Sequence, residues 1–373
     1  MDTRQKLSVL ADASRYDISC ACATTASEHR VRQSDGLWLY PVTLPNGGQS
    51  VMLKTLLSNA CANDCLYCPH RVSRDAPRCT LAPEEVATVF MDYVRRREVF
   101  GLFLSSGVLG TPDATMDRLV AVAALLRRRH AFRGYIHLKI IPGASDAAIQ
   151  AALALASAVS LNVEAPTRAA FAKLSRAKNF DRDIVAPIHR ISALTARGAR
   201  FAGKKQTTQF LVGASDETDS EIVRASFGLY RRLHLSRVYF SAYQRGLGDP
   251  SLPGENQAPT QASDLLTREH RLYQADWLMR KYGFSDAEVP FDADGNLSLA
   301  EDPKAVWARR HPEFFPLDVN RAGREQLLRV PGLGPVTVAR ILAARAAGNR
   351  IRGLRGLGRA GQRLSASEAY LKW

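Results

Sequence analysis

Between about residues 51 and 243, short apolar runs alternate with longer segments of helical period. The apolar runs fall at 51–57, 102–105, 135–141, 159–163, 208–212 and 238–242. The helical segments fall at 83–98, 113–130, 146–156, 181–197 and 218–234, opening near Pro, Asp or Thr, residues suited to helix starts. Strands alternating with helices are joined by right-handed crossovers. The expected fold is therefore an α/β parallel sheet, a barrel or open barrel, with its chemistry at the C-terminal strand ends. Upstream, 37–44 and 50–57 read as two strands about a turn at 45–48, and 1–13 as a short helix. Downstream, 244–262 reads as a long loop and 265–282 as a further helix. The segment 286–315, interrupted by Pro290, Pro303 and Pro312, reads as a linker with some local structure. The expected division is an N-terminal extension 1–48, a barrel 49–285, the linker 286–315 and a small all-α module 316–373.

The loop after the first parallel strand carries Cys61, Cys65 and Cys68, spaced C-x3-C-x2-C. Six cysteines in 373 residues do not make a disulfide framework, so a cytoplasmic, reduced chain with some thiols on a metal is expected. No apolar run reaches the length of a membrane span, and the first fifteen residues lack the apolar core of a secretion signal. Three cysteines in one loop suit a cubane iron–sulfur cluster with one iron left open to a small molecule. The residues also admit a structural zinc with His70 as fourth ligand.

With Tyr67 as the aromatic, C-x3-C-x-aromatic-C after a first strand resembles the hallmark of the radical S-adenosylmethionine (SAM) superfamily over roughly residues 51–243. The resemblance implies a [4Fe–4S] cluster on Cys61, Cys65 and Cys68, with SAM chelated at the open iron. It also implies an external one-electron reductant and hydrogen abstraction from a substrate. It places Ser105, Ser106 and Gly107 near the amino group of SAM, where the family commonly has Gly-Gly-Glu. It places Asn162 and Glu164 at the ribose; Glu164 is alternatively a cap for the helix after Thr167. Gln209 and Gly213 correspond to the strand that packs on adenine, although the first glycine of that pattern is absent. Ser241 and Tyr243 follow as further adenine or substrate contacts. His137, Lys139, Lys204 and Lys205 either meet SAM or a substrate phosphate or reach to the rim. Cys20, Cys22 and Cys79 read as buried small side chains or as a hydrogen-atom donor.

The formal charge of +15 is uneven: residues 316–373 hold eleven Lys/Arg against three acids, a net +8. A local basic excess points to a polyanion. In the same segment Asn320 is suited to cap a helix at 321–329, 331–334 to form a tight turn, and Pro335 to open a second helix. The segment resembles the helix-hairpin-helix module of DNA repair and replication proteins. That implies sequence-independent contact with the DNA backbone through Gly332, Gly334, Thr337 and Arg340. The combination resembles a radical SAM family assigned to DNA modification or repair, associated with uracil-DNA-glycosylase-like proteins. RNA modification, and a DNA-binding iron–sulfur scaffold or redox sensor, are the other readings.

Overall fold

The computed structural model describes residues 1–14, 31–33, 38–43, 48–256, 262–353 and 362–373. Cys20, Cys22, the turn at 45–47 and the glycine-rich stretch 354–358 lie outside the described residues. The chain divides into two compact units, one of residues 1–217 and 228–266, the other of 218–227 and 267–373.

The first unit begins with helix α1 (Thr3–Ser14) and is built on one eight-stranded sheet. Its strands are β1 (Val31–Arg32), β2 (Trp38–Thr43), β3 (Gln49–Leu56), β4 (Gly101–Ser105), β5 (Tyr135–Lys139), β6 (Ala158–Ser160), β7 (Lys205–Val212) and β8 (Arg237–Ala242). β1, β2 and β3 pair antiparallel, and every later pair is parallel. The expected hairpin is therefore the leading edge of the main sheet, with Leu39 opposite Leu53. The six parallel strands match the six apolar runs. They lie in sequence order with no reversal, the order of a barrel rather than of a doubly wound sheet. β1 and β8 are the two edges of the sheet, so the barrel is open. All five residues of β4 are buried, as expected of a parallel strand covered on both faces.

The connecting helices are α2 (Pro83–Arg95), α3 (Pro112–Ala124), α4 (Asp146–Leu155), α5 (Arg168–Ala172), α6 (Ala186–Thr195) and α7 (Asp219–Leu233). The caps stand just before the acids. Thr111, Ser145 and Thr167 accept bonds from Ala114, Ala148 and Ala170, while Asp113 and Asp146 sit in the first turn, where their charge favours the helix dipole. The expected helices 113–130 and 181–197 each include a wider π turn, at Leu125–Arg129 and Phe180–Val185. In the first, Arg127 donates to the carbonyls of Leu155 (3.0 Å), Phe132 (2.8 Å) and Gly134 (2.8 Å). After β8 the chain forms the short helix α8 (Pro253–Asn256) and then α9 (Ala262–Lys281).

In the second unit, the local structure expected within 286–315 includes a helix whose Trp307 and Ala308 pack in a core with Leu278 and Phe284. Helix α10 (Pro303–Arg310) is capped by Asp302, which accepts from Lys304 N at 2.9 Å and Ala305 N at 3.3 Å. Pro303 and Pro312 stand at helix starts, where a missing N–H costs nothing, so they begin structure here instead of breaking it. Trp307 is buried, stacked on His311 (4.3 Å) and edge-on to Phe284 (5.5 Å) and Phe314 (5.3 Å). Next come β9 (Leu317–Asp318), α11 (Arg324–Arg329), α12 (Pro335–Ala346) and β10 (Leu371–Lys372), which pairs in parallel with β9. Val319, Leu327, Leu328, Leu333, Val338 and Ile341 share a second core. Asn320 is not the cap of α11: Gly323 is, and the Asn320 side chain exchanges two hydrogen bonds with the Ile351 backbone (2.9 and 2.8 Å).

Candidate active site at the strand ends

The C-terminal ends of the parallel strands converge on one cavity of about 190 Å³. Leu56, Ser105, Lys139, Gln209, Leu211 and Ser241 reach it from β3, β4, β5, β7 and β8. Asn162 and Glu164 reach it from the segment after β6, and Ser106 and Gly107 from the turn after β4. Cys61, Cys65, Cys68 and Tyr67 close one side. Of the positions expected to hold the cluster and SAM, the cavity thus gathers Cys61, Cys65, Cys68, Ser105, Ser106, Gly107, Asn162, Glu164 and Gln209, but not Gly213. The Gly213 amide is taken by Glu217 Oε1 at 2.6 Å, and its carbonyl faces Gly254, where an added Cβ would come within 2.5 Å.

The cysteine loop has no regular structure, so side chains and close backbone approach shape it. A Cβ on Gly107 would lie 2.2 Å from the Ala60 oxygen, so only glycine lets the β4 turn dock on the loop. That docking is sealed by Gly107 N to Ser58 O (2.7 Å) and Ala62 N to Val108 O (2.9 Å). Arg78 donates to the carbonyls of Asn59 (2.6 Å), His70 (3.0 Å), Arg71 (2.9 Å) and Arg74 (2.7 Å). Arg71 donates to Cys68 O (3.1 Å), Leu247 O (2.8 Å) and Gly248 O (3.1 Å), tying the loop to the segment after β8. Asp64 accepts from Ser175 Oγ (2.6 Å), Arg176 N (2.9 Å) and Ala177 N (3.1 Å). Burial opposes its charge, but these three donors hold its carboxyl below the usual range.

The sulfurs face polar donors. Cys61 Sγ accepts from Asn63 N (3.4 Å) and Val108 N (3.3 Å), and Cys68 Sγ from His70 N (3.4 Å). Burial, with the neighbouring Cys65 and Cys61, pushes the Cys68 thiol up to about 12. A thiol raised this far ionises readily only beside a positive centre, and a metal ion is one. Lys178 also reaches this group: burial works against its charge, yet Cys65, Glu164 and Cys61 hold its pKa above the usual lysine range. His70 Nε2 lies 3.1 Å from Ala13 O. Among the described residues, no three His, Cys, Asp or Glu side chains converge on a point suited to one ion, so the Cys3His zinc set is not assembled. A cubane offers each thiolate its own iron, so its cysteines need not converge on a point.

Glu164 holds φ at +62°, a left-handed conformation unusual for glutamate. Two backbone bonds to β7 keep it there, Glu164 N to Gln209 O (3.0 Å) and Leu211 N to Glu164 O (2.8 Å). Tyr67 donates its hydroxyl to Glu164 Oε1 at 2.9 Å. The capping role falls to Thr167, which leaves Glu164 in the cavity wall. Tyr243 lines the cavity and donates its hydroxyl to Glu255. His137 lies deeper, with Nε2 2.9 Å from Ser160 Oγ, and Lys204 donates to Ala156 O at 2.5 Å, so of the four expected internal cations only Lys139 lines the cavity. Cys79 contacts Lys6 O (3.5 Å) outside the cavity. No motif marks Lys178, Arg71 or Arg78, whose positions depend on contacts distant in sequence.

In the second unit, Gly332 (φ +85°) turns the chain between α11 and α12, and Gly334 caps α12 without a side-chain bond. Gly332 and Arg340 are exposed, and Gly334 and Thr337 half-buried. Arg321, Arg324, Arg350, Arg352 and Lys372 are exposed, whereas Arg345 donates to Ala322 O (2.6 Å) and Arg329 pairs with Glu288.

No family model and no curated protein matches the chain. Among solved structures, it is similar to methylornithine synthase PylB, with 15% identity, TM-score 0.48 and 61% of each chain covered. It is similar to the [FeFe]-hydrogenase maturase HydG, with 15% identity, TM-score 0.46, and 59% of this chain and 49% of HydG covered. It is also similar to the radical SAM methyltransferase TsrM from Kitasatospora setae, with 16% identity, TM-score 0.41, and 54% of this chain and 35% of TsrM covered.

Proposed function

We propose that the chain is a radical SAM enzyme acting on a nucleic acid, with DNA the favoured substrate. The observation that carries the first part is the single cavity in which three cysteines of one loop meet Ser105–Gly107, Asn162, Glu164 and Gln209. The residues fit the implied groups: three cysteines of one loop on the cavity wall, two of them with amide donors to sulfur, for a cluster, and hydroxyl, amide and carboxylate groups around an apolar wall for a polar nucleoside. When bound, the [4Fe–4S] cluster and SAM supply a one-electron cleavage that yields a hydrogen-abstracting 5′-deoxyadenosyl radical. Cys61, Cys65 and Cys68 hold the cluster, and an external reductant supplies the electron. Glu164, oriented by Tyr67, accepts hydrogen bonds from the ribose diol, with Asn162 beside it. Ser105, Ser106 and the Gly107 backbone accept from the ammonium group. Leu56, Ile140, Ile141 and Leu211 exclude water and stray hydrogen donors.

The nucleic-acid part rests on the exposed arginines of the second unit and on the glycine turn that opens α12. An uncapped helix N-terminus behind a glycine turn suits a backbone phosphate. A duplex cannot enter the end of a barrel, so the target base is unstacked before reaction. In the Cys65→Ala variant, cluster absorbance and SAM cleavage are expected to disappear together. Undiminished cleavage by that variant would sink the assignment.

A further inference from the structure

Lys304, the second residue of α10, reaches the turn between α11 and α12. It is 7% exposed, and its Nζ donates to the Leu333 carbonyl oxygen at 2.6 Å. The same ammonium lies 4.5 Å from the centre of the Tyr282 ring. Tyr282 also borders the turn, since a Cβ on Gly334 would stand 3.5 Å from its hydroxyl. The groups that face Lys304 are thus Asp302, the cap of its own helix, Tyr282 after α9, and the Leu333 carbonyl of the turn.

The Leu333–Gly334 peptide is trans. In a trans peptide the C=O and the following N–H point in opposite directions. With the Leu333 oxygen turned inward onto a buried ammonium, the Gly334 N–H is turned outward. Gly332 and Val336, on either side, are exposed. We infer that Lys304 is the positioning residue of a phosphate contact: it fixes the Leu333–Gly334 peptide so that the Gly334 amide meets a DNA backbone phosphate, and it places a positive charge behind that amide. The inference rests on the reading of this segment as a DNA-backbone contact. Burial pulls Lys304 down to about 7, with Asp302 opposing.

The test uses the full chain and a short fluorescent DNA duplex. In wild-type protein labelled with 15N-glycine, the Gly334 resonance, assigned by its loss in Gly334→Ala, is expected to shift on duplex addition. Its position in the free protein is expected to titrate with a midpoint near 7. Duplex affinity is expected to fall about threefold or more between pH 6 and 8, and the slope of log K against log salt to fall by about one phosphate in Lys304→Met. A merely structural lysine would change the folded fraction without changing that slope. Duplex binding that leaves the Gly334 resonance in place, or a Lys304→Met slope equal to wild type, would overturn the inference alone. Absence of any duplex binding by wild-type protein would remove the DNA reading and this inference with it.

Discussion

Glu164 is the one carboxylate in the cavity wall among the described residues, and its backbone is held in a left-handed conformation by β7. Strain of this kind persists where neighbouring structure over-determines it, and it fixes a side chain that a relaxed backbone would let wander. Glu164→Gln is expected to weaken SAM binding about tenfold or more while leaving cluster absorbance intact, because a charge-assisted acceptor becomes a neutral one. Tyr67→Phe, which removes only the hydroxyl that orients Glu164, is expected to produce a smaller loss in the same equilibrium binding measurement. Both residues were legible in the sequence, Tyr67 from its place in the cysteine motif and Glu164 from its place after a strand. Lys178 was not, because it lies between helices and its hydrogen bond to Cys65 is a tertiary contact that no local pattern marks.

The elements were read well where the signal was local. Six apolar runs became six parallel strands because a strand buried on both faces must be apolar throughout. The helix starts agree to within a residue, with the hydroxyl caps Thr111 and Ser145 just ahead of the acids. Local structure within 286–315 was expected, but not its form, because proline both breaks and begins helices and only the aromatic core around Trp307 decides which. Two predictions belong at this scale. Gly107→Ala places a methyl carbon against the Ala60 carbonyl, and iron content per chain after reconstitution is expected to drop while the sheet keeps its far-ultraviolet circular dichroism. In the second unit, Lys304 has a folded pKa of about 7 against about 10.4 when unfolded, so between those values the unfolded chain binds more protons. The contribution of Lys304 to stability therefore rises as pH increases from 7 to 10. Lys304→Met is expected to flatten that part of the stability profile in denaturant titrations.

At the scale of the whole molecule, the proposed function assigns reductive SAM chemistry to the cavity of the first unit and a polyanion to the exposed arginines of the second. The barrel order and the cysteine loop were readable because one is a periodicity and the other a spacing. The substrate was not, because phosphate contacts position a nucleic acid without naming its bases. DNA affinity is expected to fall steeply with salt, and Arg340→Glu to weaken it while sparing SAM cleavage. The most direct test is to measure 5′-deoxyadenosine formed from SAM by anaerobically reconstituted, reduced protein, with and without DNA. The account predicts formation that depends on the cluster and is stimulated by DNA. No 5′-deoxyadenosine from protein with an intact, reduced cluster, whether or not DNA is present, would contradict it.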